Sequence, residues 1–216
     1  MRIDEKGADV GRALLDFGVV ILAAGASSRM GKPKLLLPWG ATSVLGHLIA
    51  QWKGLRAGQI AVVRAANDDA VNAELDRLGA PSVNRLANPT PERGMFSSIQ
   101  CAALWEGWKA ELTHWAIVLG DQPHLRRETL DALLRFAAAH PNQVSQPSRR
   151  SRPRHPVVVP KSIFMELPDS RAETLKAHLQ KLPAGVALRE LDDPGLDFDL
   201  DTPADYEQAI RQFRES

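Results

Sequence analysis

The chain has 216 residues, with 27 Lys and Arg against 26 Asp and Glu and a formal net charge of +1. It is long enough for one α/β domain with a buried core, and its 44% apolar and 25% charged residues are ordinary for a globular protein. The near-zero charge provides no global field for nucleic acid or an acidic membrane, and the single cysteine, Cys101, excludes an internal disulfide or a cysteine-based zinc site and fits a reducing compartment.

Residues 1–17 read as an N-terminal extension, partly helical around Arg12–Asp16, ahead of a single domain over 18–213. The first residues are charged and lack the apolar stretch of a signal peptide, and no apolar run approaches a membrane span. A cytoplasmic protein is expected. The continuous apolar run Gly18–Ala24 suits a strand buried on both faces of a parallel sheet. Helical spacing over Ser43–Leu55 puts Val44, Leu45, Leu48, Ile49 and Trp52 on one side. A strand at Gln59–Ala65, a helix at Asp68–Leu78 and a short strand at Ser82–Leu86 follow. Next come a helix at Phe96–Trp108, a strand at His114–Leu119 and a helix at Arg127–Ala139. This alternation predicts βαβ units and a doubly wound, mostly parallel sheet. The last third is less regular. Ser148–Pro156 reads as a basic loop, Val157–Val159 as a short strand and Ala172–Lys181 as a helix. Val186–Leu191 and Phe198–Leu200 read as strands before a final helix at Pro203–Phe213, with Thr202 placed to cap it.

The segment after the first strand, Leu22 to Lys34, is the most informative. Its small residues, Ala23, Ala24, Gly25, Ser27 and Gly31, let backbone N–H groups approach phosphate oxygens closely, and Arg29, Lys32 and Lys34 add positive charge. It also follows a strand's carboxyl end, where open α/β sheets bind ligands. The alternative is a glycine turn followed by a solvated basic loop. Two familiar phosphate loops do not fit. Five residues separate Gly25 from Gly31 and Pro33 follows Lys32, unlike a P-loop; Ser27 stands where a dinucleotide fingerprint needs glycine.

Acidic residues suggest a metal. Asp121, at the end of the His114–Leu119 strand, is placed either to hold Mg²⁺ against a triphosphate or to shape the turn at Gln122-Pro123. Asp197, Asp199 and Asp201 alternate, so a strand there would put all three on one face, either gathering a cation or forming a solvated edge. Asn88 and the run Arg93–Ser98 precede a helix, where Gly94 and Ser98 would either meet a ligand or cap the helix. Arg154-His155-Pro156 is either an anion-binding element or a mobile charged loop.

The pattern Leu22-Ala-Ala-Gly-x-Ser-x-Arg29-Met30-Gly31-x-x-Lys34-Leu-Leu-Leu-Pro38 resembles the signature of MobA-like nucleotidyltransferases, and within them the molybdenum cofactor cytidylyltransferase branch. The resemblance continues to Ala209. It implies a Rossmann-like nucleotidyltransferase fold, nucleotide contacts from Leu22, Ala23, Ala24, Gly25, Ser27, Arg29, Met30, Gly31, Lys34, Asn88, Gly94 and Ser98, and catalytic roles for Arg29, Lys34 and Asp121. Leu119-Gly-Asp-Gln-Pro123 is similar to the family's metal-binding segment and Asp199-Leu-Asp-Thr-Pro203 to its Asp-x-Asp-Thr-Pro segment. Asp121 and Asp199 are therefore the implied Mg²⁺ carboxylates, with Asp201 close behind. Arg154, His155, Pro156 and Asp201 are the implied acceptor contacts.

Two departures fall in the acceptor region. Arg154 replaces the family's glycine before His, and Pro168-Asp-Ser-Arg-Ala-Glu-Thr174 stands where Gly-Asp-x-Gly-Ala-Arg is common. The implied reaction is CMP transfer from CTP to a molybdopterin-type acceptor, with a molybdoenzyme as eventual recipient. GTP, another phosphorylated acceptor, or delivery of a cofactor without turnover are the competing readings.

Overall fold

The computed structural model describes residues 15–25 and 30–213. Strand β1 (Phe17–Ala23) is followed, after a 3-10 turn at Lys34–Leu36, by the hairpin β2 (Pro38–Trp39) and β3 (Thr42–Ser43). Helix α1 (Val44–Gly54) starts at Ser43, whose Oγ accepts from the Gly46 N–H at 3.0 Å, and it buries the five apolar side chains expected from its spacing. Strand β4 (Gln59–Ala65) leads to α2 (Asp69–Arg77), which Asp68 caps by accepting from Val71 N–H at 3.0 Å. Then come β5 (Arg85–Asn88), α3 (Met95–Leu104), β6 (His114–Leu119) and α4 (Arg127–Ala139). The last third contains β7 (Val144–Arg149), β8 (Arg152–Pro153), β9 (Val157–Pro160), α5 (Lys161–Phe164), α6 (Leu175–Leu179), β10 (Val186–Glu190) and α7 (Pro203–Phe213).

The main sheet runs β10-β7-β9-β6-β1-β4-β5, with β8 paired to β7. β1 pairs in parallel with both β4 and β6, while β9 runs antiparallel between β6 and β7. Successive β1 side chains serve opposite faces: Val19 and Ile21 join a core with α1, α2 and α4, and Val20 joins another with α3, α5 and α6. This is the doubly wound, mostly parallel α/β sheet expected, and it brings the ends of β1, β4 and β6 to one edge.

Several boundaries differ from expectation for identifiable reasons. Ser82–Asn84 form a 3-10 turn after Pro81, so the strand pairing with β4 is Arg85–Asn88. Helix α3 stops at Leu104 because the Trp108 indole N–H folds back to donate to the Ala102 carbonyl at 2.8 Å, satisfying a helix-end acceptor. Helix α6 is limited to Leu175–Leu179, beginning where the Thr174 hydroxyl accepts from Ala177 N–H at 3.1 Å.

The expected basic loop at Ser148–Pro156 is instead largely the β7–β8 hairpin. Its turn residues, Arg150 and Ser151, have φ of 52° and 61°, a conformation usually given to Gly or Asn. Glu190 on β10 accepts from both of their backbone N–H groups, at 2.6 and 3.4 Å, and compensates for the missing turn residues. Phe198–Leu200 joins no sheet, and the Asp201 N–H turns back to the Asp199 carbonyl at 3.1 Å. Among the described residues, no helix is long and apolar enough to cross a membrane.

Candidate functional site

The carboxyl ends of β1, β4 and β6 and the start of α3 surround a cleft of about 870 Å³. β1 and its loop contribute Leu22, Ala23, Ala24 and Gly25; the loop's return contributes Gly31 and Lys34; α3 contributes Gly94 and Ser98; Asp121 closes the β6 side. These sequence-distant expected residues therefore share one cleft. Ser27 and Arg29 lie outside the described residues. Met30 is buried and is not part of the cleft lining.

Local chemistry explains the cleft's shape. A Cβ on Gly120 would stand 2.7 Å from the Leu22 carbonyl oxygen and 2.8 Å from Leu35, so glycine lets the ends of β1 and β6 close on each other. Gly120→Ala is expected to cost about 1–3 kcal/mol of stability through overpacking, with Leu22 or Leu35 displaced. Denaturant unfolding would check this; a wild-type midpoint would remove the steric role. Gly94 has φ +89° and ψ 177°, a backbone state essentially reserved for glycine, at the entry to α3. Asn88 does not line the cleft. Its amide donates to Ser97 Oγ at 2.8 Å and Ser98 Oγ at 2.9 Å, and its carbonyl oxygen accepts from Thr90 N–H at 2.9 Å. It therefore braces the start of α3, which presents Gly94 and Ser98.

The cleft's charge centre is an ion pair. Lys34 Nζ lies 2.6 Å from Asp121 Oδ2 and 3.8 Å from Asp201 Oδ1. Asp121 Oδ1 is shielded from solvent and has no hydrogen-bond partner among the described residues. The following segment docks beside it: the Leu200 N–H donates to the Asp121 carbonyl at 3.1 Å, and the Gln122 amide donates to Asp199 Oδ1 at 2.8 Å. Burial raises the Asp199 carboxyl above its usual range, with the charges of Asp121 and Asp201 adding to the effect and the Gln122 bond opposing it.

Among the described residues, no group of three or more His, Cys, Asp or Glu is arranged to hold a metal alone. Mg²⁺ needs no such cage, because it retains waters and takes other ligands from phosphates. The shielded, unpartnered oxygen of Asp121 and the neighbouring Asp199 fit a cation of that kind.

The three alternating aspartates do not share a face. Asp197 turns away to Arg154, whose Nε and Nη2 lie 2.8 and 2.6 Å from Oδ1, and to Arg149. Burial alone would raise the Asp197 carboxyl, but these arginines outweigh it and hold it low. The expected acceptor residue Arg154 is thus engaged by Asp197, while Pro156 is buried. His155 sits in the bend between β8 and β9, with its Nδ1 shielded from solvent and the ring close enough to Asp121 to feel its charge. Burial lowers the imidazole's pKa, so the ring is neutral at pH 7.

Two positioning residues were absent from the expected site. Gln122 holds Asp199, and only its place beside Asp121 hinted at this. Asp193 is 2% exposed and accepts from Gly195 N–H at 2.9 Å, Thr129 Oγ1 at 2.7 Å and Arg126 N–H at 3.3 Å, anchoring the acidic segment to the start of α4. Its sequence surroundings carry no comparable sign.

Comparison with known proteins gives a consistent result. The family described as "MobA-like NTP transferase domain" matches residues 19–186. The chain is 24% identical to the molybdenum cofactor cytidylyltransferase of Escherichia coli (strain K12), covering 91% of this chain and 96% of that protein. It is 29% identical to the purine catabolism protein PucB of Bacillus subtilis (strain 168), covering 89% and 95%. The crystal structure of Rv0371c from Mycobacterium tuberculosis H37Rv superposes with a TM-score of 0.73 at 23% identity, covering 91% of this chain and 99% of that one.

Proposed function

The chain belongs to the MobA-like NTP transferase domain family, and from that premise we propose that it transfers CMP from CTP to the phosphate of a molybdopterin-type acceptor and releases pyrophosphate. The observation that carries the reading is the meeting, in one cleft, of the small-residue loop, Lys34, Asp121 and the start of α3 at Gly94–Ser98. The similarity to a molybdenum cofactor cytidylyltransferase over almost the whole chain supports the acceptor and the base.

In this mechanism the loop from Ala23 to Gly31 receives the triphosphate on backbone N–H groups, with Arg29 and Lys34 balancing its charge. Gly94 and Ser98 border the nucleoside, and Asn88 holds the start of α3 in place. Asp121, with Asp199 behind it and Gln122 orienting Asp199, would hold Mg²⁺. When bound, that ion neutralises charge on the attacked phosphate and the leaving pyrophosphate. An acceptor phosphate oxygen attacks the α-phosphorus as the bond to pyrophosphate breaks, so no protein nucleophile is required. Arg154, His155 and Pro156 flank the acceptor side. The chain's residues act by positioning and charge compensation. We further propose a cytoplasmic location and a molybdoenzyme as recipient of the nucleotide-bearing product.

The test is a screen of nucleoside triphosphates against molybdopterin, read by pyrophosphate release. CTP is expected to be preferred, because the Ala24 methyl lines the cleft and limits how closely a base approaches the backbone. One methyl is worth only about 1–3 kcal/mol of discrimination, so the preference should be finite and should weaken in Ala24→Gly. Equal or better kcat/KM with GTP would refute the cytidylyl reading and leave nucleotidyl transfer standing. The similarity to PucB, by its name a purine catabolism protein, keeps a different acceptor as the second reading; pyrophosphate release with another acceptor, but not with molybdopterin, would favour it.

A further inference from the structure

Lys34 and Asp121 are both assigned to the triphosphate, yet in the structure they neutralise one another, Nζ to Oδ2, at 2.6 Å. The same Nζ is 3.8 Å from Asp201 Oδ1, so one ammonium stands between two carboxylates and is closer to Asp121. Asp121 is also the less exposed of the two, with 20% of its side chain accessible against 35% for Asp201. A divalent cation on Asp121 would therefore meet an ammonium already at contact distance from the same carboxylate, and like charges this close repel strongly.

The backbone keeps the second carboxylate within reach. The Leu200 N–H bonds to the Asp121 carbonyl at 3.1 Å and the Asp201 N–H to the Asp199 carbonyl at 3.1 Å. Thr202, the next residue, exchanges hydrogen bonds with Asp205 at the start of α7, which fixes the chain just beyond Asp201.

We infer that Lys34 occupies the cation position on Asp121 in the metal-free protein, and that Asp201 is a positioning residue that receives Lys34 when a divalent cation takes Asp121. The inference rests on the reading of Asp121 as a metal carboxylate. It gives Asp201 a role toward the protein's own lysine in place of the acceptor contact implied by resemblance. Lys34 then remains beside the metal, oriented by Asp201 and available to the triphosphate.

The probe is Mn²⁺ binding to the full chain without nucleotide, measured from the electron paramagnetic resonance signal of free Mn²⁺. Lys34→Met removes the charge and keeps the apolar stem. It is expected to bind Mn²⁺ about tenfold more tightly, the order of effect that one adjacent charge exerts on a carboxylate. Asp201→Asn deprives Lys34 of its alternative partner and should weaken Mn²⁺ binding roughly two- to fivefold, the worth of a partly exposed ion pair. In the double variant the Asp201 effect should vanish, leaving the affinity of Lys34→Met. Lys34→Gln provides a second neutral side chain if the methionine variant does not fold.

Unchanged or weaker Mn²⁺ affinity in the folded neutral variants would overturn the exchange. So would an Asp201→Asn loss that persists without Lys34, because Asp201 would then be a metal ligand. Asp121→Asn separates the two levels of the argument. If it binds Mn²⁺ like the wild type, the metal reading of Asp121 fails and the exchange fails with it. If it loses Mn²⁺ while neutralising Lys34 changes nothing, the exchange alone fails.

Discussion

Asp121→Ala is expected to lower Mg²⁺-dependent nucleotidyl transfer by about 10³-fold or more, the several kcal/mol of transition-state charge stabilisation that a positioned metal supplies. The fold should survive. The contact between the Asp121 region and the acidic segment is made by the Asp121 backbone carbonyl and the Leu200 N–H, which a side-chain change leaves in place. Lys34 retains Asp201 nearby, so its charge is not stranded in an apolar site. The measurements are pyrophosphate release and, on the same samples, circular dichroism with thermal unfolding. Near-normal turnover would remove Asp121 from the metal site. Asp199→Ala should follow the same direction with a smaller loss, because Asp199 stands behind Asp121 and is tied to Gln122. A much larger loss in Asp201→Ala than in Asp199→Ala would reverse the order of those two carboxylates.

Lys34→Ala should reduce kcat/KM for CTP by about 10²-fold, with kcat carrying a substantial part, as for removal of one preorganised charge from a developing anion. A residue that only helped to bind the triphosphate would raise KM and leave kcat unchanged. Steady-state kinetics with CTP varied at saturating Mg²⁺ separates these cases. Normal kinetics accompanied only by a lower melting temperature would return Lys34 to a structural role as the partner of Asp121. The turnover loss and the tighter Mn²⁺ binding expected on neutralising Lys34 would occur together, because the charge that aids transfer also competes for Asp121.

The parts of the fold legible in the sequence were those written in local pattern. Gly18–Ala24 is apolar at every step, and β1 is buried on both faces because helices pack on either side of the sheet in which it is an inner strand. The stripe Val44, Leu45, Leu48, Ile49 and Trp52 is buried as a unit in α1. The β7–β8 turn was not legible. Arg150 and Ser151 are poor choices for positive φ, and the group that stabilises their N–H groups, Glu190, comes about forty positions later. Alternation at Asp197, Asp199 and Asp201 suggested a common face. Alternation guarantees that only within a sheet ladder, and this segment joins none.

The sequence by itself therefore determined the order of the larger strands and helices as far as α4, the small-residue loop after β1 and the acidic residue after β6. Periodicity, turn chemistry and chain connectivity act over a few residues, and those residues are adjacent in the sequence. Only the tertiary structure decided which charge meets which. Lys34 goes to Asp121 and Asp201, Gln122 to Asp199, and Arg149 and Arg154 to Asp197. It also placed His155, in the bend between β8 and β9, close to Asp121. The physical reason is that a side chain's electrostatic partner is set by approach within a few ångströms. Between residues tens of positions apart, sheet order and packing create that approach, and local sequence pattern does not encode it.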